Sequence, residues 1–212
     1  MASTTTDTET ELSAVNAILG AIGQSPITSI AAGSANPEIA FVYNLLRDAN
    51  VDVQNEGWHF NTERHVEYTP DGTTKRILIG SDILKIDVPD GWRTRVYDVV
   101  KRTDPSNNEI YLYDKYDHTD EWDNSIHLDV VKLFTYVDLP SPFKRYIIYK
   151  AATRAATQIV GNPQLAKLLG NQEVLARATC LEYECNQGNH TMFGFPEDTV
   201  HRTYQPWTVL RR

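Results

Sequence analysis

The feature that most constrains this chain is a hydrophobic period that changes twice. Apolar residues recur at helical spacing up to Gly57, then fall into short runs between turn residues from Trp58 to about Pro140. Helical spacing returns from Phe143. No helix-period segment separates the short runs, so they predict an antiparallel sheet rather than βαβ units. The expected fold is α+β. N- and C-terminal helical hairpins, 11–57 and 141–188, form a four-helix bundle, and an antiparallel β domain, 58–140, is inserted between them. Residues 1–10 read as a flexible leader and 189–212 as an extended C-terminal arm.

Local signals support this order. Thr8 and Glu11 stand at capping-box spacing before Leu12, Val15, Leu19 and Ile22, which share a helical face; Gly23 and Pro26 end that helix. Asn36-Pro37-Glu38 supplies an N-cap, a first-turn proline and an acid on the positive end of the next helix. Ile39, Tyr43, Leu46, Ala49 and Val53 follow, and Gly57 stops it. In the middle block, Ile77–Ile79 and Ile83–Ile86 flank Gly80-Ser81-Asp82, which predicts a hairpin. Pro89-Asp90-Gly91 is a further turn. Val96–Lys101 and Ile110–Tyr113 flank Asp104-Pro105-Ser106-Asn107-Asn108, a second hairpin signal. Ile126, Leu128 and Val130 alternate with polar neighbours. Phe143, Ile147, Ala151, Ala155 and Ile159 make the third helical stripe, and Leu165, Leu168, Leu169, Leu175, Ala176 and Tyr183 the fourth, with Gly161-Asn162-Pro163 between them.

Composition enters as exclusion. Of the 212 residues, 41% are hydrophobic and 23% charged, which excludes wholesale disorder. No run approaches the ~18 apolar residues of a membrane span, so no membrane partner is expected. Residues 1–11 are polar and acidic, which predicts no secretory signal, and two cysteines make no disulfide framework. The expectation is a soluble, intracellular protein. Net charge is −8, spread as −6 over 1–57, −6 over 58–140 and +4 over 141–212. No basic face of the kind a duplex reader carries is visible.

Motifs for chemistry are missing. There is no phosphate-binding loop, no dinucleotide fingerprint and no His-Glu-x-x-His. Gly23-Gln24-Ser25-Pro26 lacks the second glycine of a nucleophile elbow and follows a helix. Cys180 and Cys185 point about 140° apart on a helix and do not pair as zinc ligands. No cofactor is expected, and none of the catalytic classes is favoured. The densest acidic window holds Asp114, Asp117, Asp120, Glu121 and Asp123. It does not match a calcium loop. It reads as a solvated loop, as a partner-facing acidic loop, or as a metal site. The arm contributes Phe193, Phe195, Tyr204, Trp207, Arg211 and Arg212 without either regular period. It either packs back on its own subunit or docks on a partner and orders there.

Several segments resemble the tail tubular protein A family of short-tailed, podovirus-type bacteriophages. Glu11–Gly23, running into Gln24-Ser25-Pro26-Ile27, is similar to that family's opening helix. Gln54-Asn55-Glu56-Gly57-Trp58-His59-Phe60-Asn61 resembles its helix-to-sheet junction. Tyr149–Arg154 with Gly161-Asn162-Pro163, and Ala176–Glu184, resemble its third and fourth helices. The resemblance implies a structural virion protein and not an enzyme, located in the virion tail and assembled in the host cytoplasm. Family members form a ring of about twelve subunits between the portal and the tail nozzle (tail tubular protein B type). That ring continues the DNA conduit and carries tail-fibre attachment points, with its helical side toward the portal and its β side toward the nozzle. Twelve such copies carry about −96 formal charges, which suits passage of DNA without specific binding. The arm is then expected to dock on the portal or a neighbouring subunit. The competing expectation is a tail-associated polysaccharide or cell-wall hydrolase, which would draw its carboxylates from the 114–123 window.

Overall fold

A computed structural model describes residues 10–30, 36–88 and 98–188. Residues 1–9 of the leader, the turn at 89–91, Val96 and the whole C-terminal arm therefore lie outside the described residues. The fold is α+β, with four α-helices and two small antiparallel sheets among the described residues.

Helix α1 spans Glu11–Ala21. Its cap is Thr10 rather than the expected Thr8, which is outside the described residues. The Thr10 hydroxyl accepts from the Ser13 amide at 3.3 Å, and Ser13 Oγ donates back to the Thr10 carbonyl at 2.8 Å. This reciprocal pair satisfies first-turn groups that the helix leaves without partners. Helix α2, Pro37–Gln54, opens as its sequence implies: the Asn36 side chain accepts from the Glu38 amide at 3.1 Å, and Pro37 sits in the first turn. Gly57 takes φ 82°, and a Cβ there would meet Val131 Cγ2 at 3.4 Å. The turn out of α2 thus favours glycine for its backbone angle, while a Cβ would only come into contact with the strand passing beside it.

Helix α3, Ser141–Ala155, continues through one π-helical stretch, Ala156–Val160. It ends on Gly161 in the left-handed conformation (φ 66°), after which Asn162 caps α4, Pro163–Gly188, by accepting from the amides of Gln164 and Leu165. All four helices contribute to one hydrophobic cluster. At its centre Phe143 is fully buried, edge-on to Trp58 (5.0 Å between ring centres) and Tyr183 (5.8 Å) and tilted against Phe60 (4.6 Å). Such pairs add to the area they bury because ring edges carry positive charge and ring faces negative. Ala151, Ala152, Ala155 and Ala156 are buried along α3, so its neighbours come close.

The second cluster belongs to the strands. Strands β1 (Thr62–Tyr68), β2 (Ile83–Asp87) and β5 (Ile126–Lys132) form one sheet in the order β1-β5-β2, and β3 (Val99–Thr103) and β4 (Ile110–Asp114) form the other; every pairing is antiparallel. The β3–β4 hairpin matches its sequence signal. Alternation along β5 also holds, with Ile126, Leu128 and Val130 turned inward. The hairpin expected from Ile77–Ile79 and Ile83–Ile86 does not form. Instead Ile79 N donates to Ile110 O at 2.8 Å and Leu112 N to Ile77 O at 2.9 Å, so the first run lies along β4 while the second pairs with β5. Ile77, Ile79 and Ile83 are all buried, and sending the runs to different sheets covers both from two sides.

The two clusters meet at the end of α2. The Gln54 side chain is fully buried, donates to Phe134 O at 2.9 Å and accepts from Phe134 N at 2.8 Å. Asn61 Nδ2 donates to Gln54 O (2.9 Å) and Lys132 O (3.0 Å), and Asn61 Oδ1 accepts from Trp58 N at 2.8 Å. The Trp58 indole donates to Val53 O at 2.7 Å. The chain entering the strand block and the chain leaving it are thereby tied to the same helix terminus.

Two substitutions test this arrangement against urea denaturation. Phe143→Ala is expected to lower stability by about 3–5 kcal/mol through the cavity it opens. Gln54→Leu, which keeps volume but strands the buried amide and carbonyl of Phe134, is expected to cost about 2–4 kcal/mol. Leu175→Ala, on an exposed face, is expected to stay within about 0.5 kcal/mol of the parent.

Candidate docking surface

The acidic window folds mainly upon itself. Asp114 is buried: its carboxylate accepts from Tyr116 N at 2.8 Å, and its own amide donates to Thr119 O at 2.9 Å. Its charge closes a turn and does not face solvent. Arg76 reaches Asp104 at 3.0 Å and Asp120 at 2.7 Å, joining the β3–β4 loop to the window. Lys75 pairs with Asp123 at 2.9 Å. Asp117 and Glu121 stand in solvent. The five carboxylates therefore do not converge. Among the described residues no group of three or more His, Cys, Asp or Glu side chains is placed to hold a metal ion. Phe193, Phe195, Tyr204, Trp207, Arg211 and Arg212 lie outside the described residues.

A surface that the sequence pattern did not single out lies on the helices. Of the fourth stripe, Leu169 is buried, and Leu165, Ala176 and Tyr183 pack partly against the core. Leu168 and Leu175, assigned to the same stripe, instead face out at 64% and 69% exposure, and Val174 and Leu181 join them at 68% and 47%. The signal was available: Leu168 and Leu175 repeat at seven, one residue before Leu169 and Ala176, so α4 carries two adjacent apolar stripes and can bury only one.

Beside this face runs a groove. Two adjoining depressions, about 220 and 440 Å³, share Arg145, Tyr149 and Gln172 as lining. One extends along α4 to Leu175, Ala176 and Thr179. The other opens toward α1 at Ala17 and Ala21, with Leu169 and Ala152 beneath. Small side chains on α1 and α3 make the hollow, and Arg145 is the one charged residue among the described residues that line it. A shallow groove with one cation and an apolar margin suits a docked polypeptide better than a reacting substrate.

The far end of α4 is held by a charged knot. Glu56 accepts from Tyr146 Oη at 3.2 Å and from Arg177 at 3.0 Å, and the Lys150 ammonium lies 3.8 Å away. Glu184 accepts from the His59 amide at 2.9 Å. Burial, helped by the Glu56 charge, pushes the Tyr146 phenol up to about 12. Burial also pushes the Cys180 thiol up to about 12, and its Sγ donates to Pro142 O at 3.3 Å. Both groups stay protonated and inert, consistent with a structural role.

Comparison with known proteins covers nearly all of these elements. A family model described as "Tail tubular protein" matches residues 12–190. No curated protein matches the chain. Among the described residues no helix is long and apolar enough to cross a membrane.

Two outcomes are expected in alkaline solution. The unfolded chain ionises Cys180 and Tyr146 near 9 and 10, while the folded chain holds both protonated to about 12. The folded state binds more protons in that window, so stability should fall as pH rises from about 9 to 12 and stay insensitive to these groups below it, read by denaturant titration at stepped pH. In native protein near pH 8 a thiol reagent should modify the exposed Cys185 alone, and both cysteines once the chain is unfolded.

Proposed function

We infer, on the premise that this chain belongs to the tail tubular protein family, that it is the adaptor ring joining portal and nozzle in a short-tailed phage. Family membership makes it a structural protein of the bacteriophage tail. The finer reading goes further. About twelve copies close head to tail into a ring, the four helices form one bundle toward the portal, and the inserted β domain, 58–140, faces the nozzle and supports fibre attachment. Genomic DNA passes through the ring during ejection without specific contacts. Residues 189–212 dock on the portal or on an adjacent subunit. The protein catalyses nothing in this role.

The observation that carries this reading is the span of the family match, which includes both helical segments and the strand block between them. The bare apolar face of α4 supports it, since Leu168, Val174, Leu175 and Leu181 suit a surface covered on assembly.

The direct test is sedimentation of the purified chain with and without its cognate portal ring. Co-sedimentation at about twelve chains per portal is expected. No association with a competent portal would remove the adaptor reading. Asp117→Asn with Asp120→Asn should leave assembly intact, since neither carboxylate has a catalytic part in this reading. Truncation at Asn189 should abolish head–tail joining.

A further inference from the structure

We propose that the outward face of α4 pairs, antiparallel and with two-fold symmetry, with the same face of a second copy of this chain. The contact concerns the free subunit and is independent of the portal reading. An isologous contact closes at two chains, whereas a ring needs head-to-tail contacts.

The shape of the face is the first argument. Successive residues of a helix turn by about 100°. Leu165, Leu169, Ala176 and Cys180 take one side of α4 toward the helical core. On the opposite side, every residue from Gln164 to Cys185 within about 70° of a line passing between Val174 and Leu175 is exposed. Leu168, Val174, Leu175 and Leu181 all lie there. Leu168, Asn171, Leu175, Ala178 and Glu182 recur at alternate steps of three and four, the seam spacing of a paired helix. The stripe is about 32 Å long.

Self-complementarity is the second argument, and it selects the occupant. A two-fold rotation about the point between Val174 and Leu175 brings Leu168 of one copy level with Leu181 of the other. It likewise brings Asn171 level with Ala178 and Lys167 with Glu182. Apolar thus falls beside apolar, polar beside small, and cation beside anion. Lys167 and Glu182 are exposed, and neither has an ion pair or hydrogen bond among the described residues. A parallel pair would instead set Lys167 beside Lys167 and Glu182 beside Glu182. An unrelated partner has no use for such a palindrome; a second copy requires it.

Small residues are the third argument. Glycine inside a helix weakens it relative to alanine. Gly170 stands at the margin of the stripe, and a Cβ there would meet nothing within 4 Å among the described residues, so the fold of its own chain does not require glycine. Gly170 and Ala178 let the backbone of a second helix come close. Between them, Asn171 supplies the polar group that sets register in such a seam.

The first test follows the free chain by sedimentation velocity from about 1 to 300 μM, a range suited to a contact smaller than a standard interface. A monomer–dimer equilibrium is expected. Lys167→Glu places like charges at both ends of the pair and should weaken it at least about 5-fold, as should Glu182→Lys; the two together should restore the parent constant within about 2-fold. A monomer at every concentration would leave the face to another occupant, the portal or the chain's own terminus, and would overturn the proposal. Failure of the charge swap to restore pairing would do the same. Portal binding is read in neither case, so failure of the pair and failure of the adaptor reading are told apart. The second test combines Asn171→Cys and Ala178→Cys in a Cys185→Ser chain. The two thiols stand about 10 Å apart along one helix, too far to bridge each other. Oxidation should give covalent dimers with 171–178 links, resolved by peptide mapping after cleavage at Arg177. They should form at least about 10-fold faster than dimers of Val51→Cys on α2. Links of 171 to 171 or 178 to 178, or equal rates, would overturn the proposal.

Discussion

The interaction on which the rest of the structure depends is the pair of hydrogen bonds between the buried Gln54 amide and the backbone of Phe134. It joins residues eighty apart in the chain, and its geometry is that of a strand ladder made by a side chain. Asn61 adds a second brace from the incoming strand to Gln54 and Lys132. Without these contacts the strand block would hang from two separate connectors. With them, the two connectors become one stem in which the Gln54 and Asn61 side-chain amides are hydrogen-bonded.

Around that stem the two cores behave differently. The helical core is built from aromatic rings centred on Phe143 and from alanines that let helices approach. The strand core is smaller and aliphatic, closed by Trp122, whose indole donates to Leu112 O at 3.2 Å. Several charges on the strand block are paired within it: Arg76 with Asp104 and Asp120, and Lys115 with Asp98. The helical face instead leaves four large apolar side chains on α4 uncovered by described residues. For a protein whose family works by assembly, the difference points to the helical face as the surface still to be covered.

Much of this was legible in the residues themselves. Asn36-Pro37-Glu38 and Gly161-Asn162-Pro163 specify helix boundaries through local chemistry, and both boundaries stand where those residues put them. The alternation of β5 shows directly which side of that strand is buried. The misread hairpin shows where local reasoning stops. Gly80-Ser81-Asp82 permits a tight reversal, but Ile77 and Ile79 gain more from lying against β4, a partner more than thirty residues away. Leu168 and Leu175 stand beside Leu169 and Ala176 in sequence, and period alone does not reveal how wide a stripe the neighbouring helix can cover. Asp114 looked like surface charge because nothing local says that a carboxylate will turn inward to close its own loop.

The Gln54–Phe134 pair also has a consequence for biosynthesis. A ribosome extending the chain at about 5–20 residues per second delivers Phe134 roughly 4–16 s after Gln54. Through that interval α2 ends in a polar side chain destined for a dry site, and the apolar faces of α1 and α2 wait for Phe143 and the rest of α3. The residues that complete the helical core are thus the last of the two cores to be synthesised.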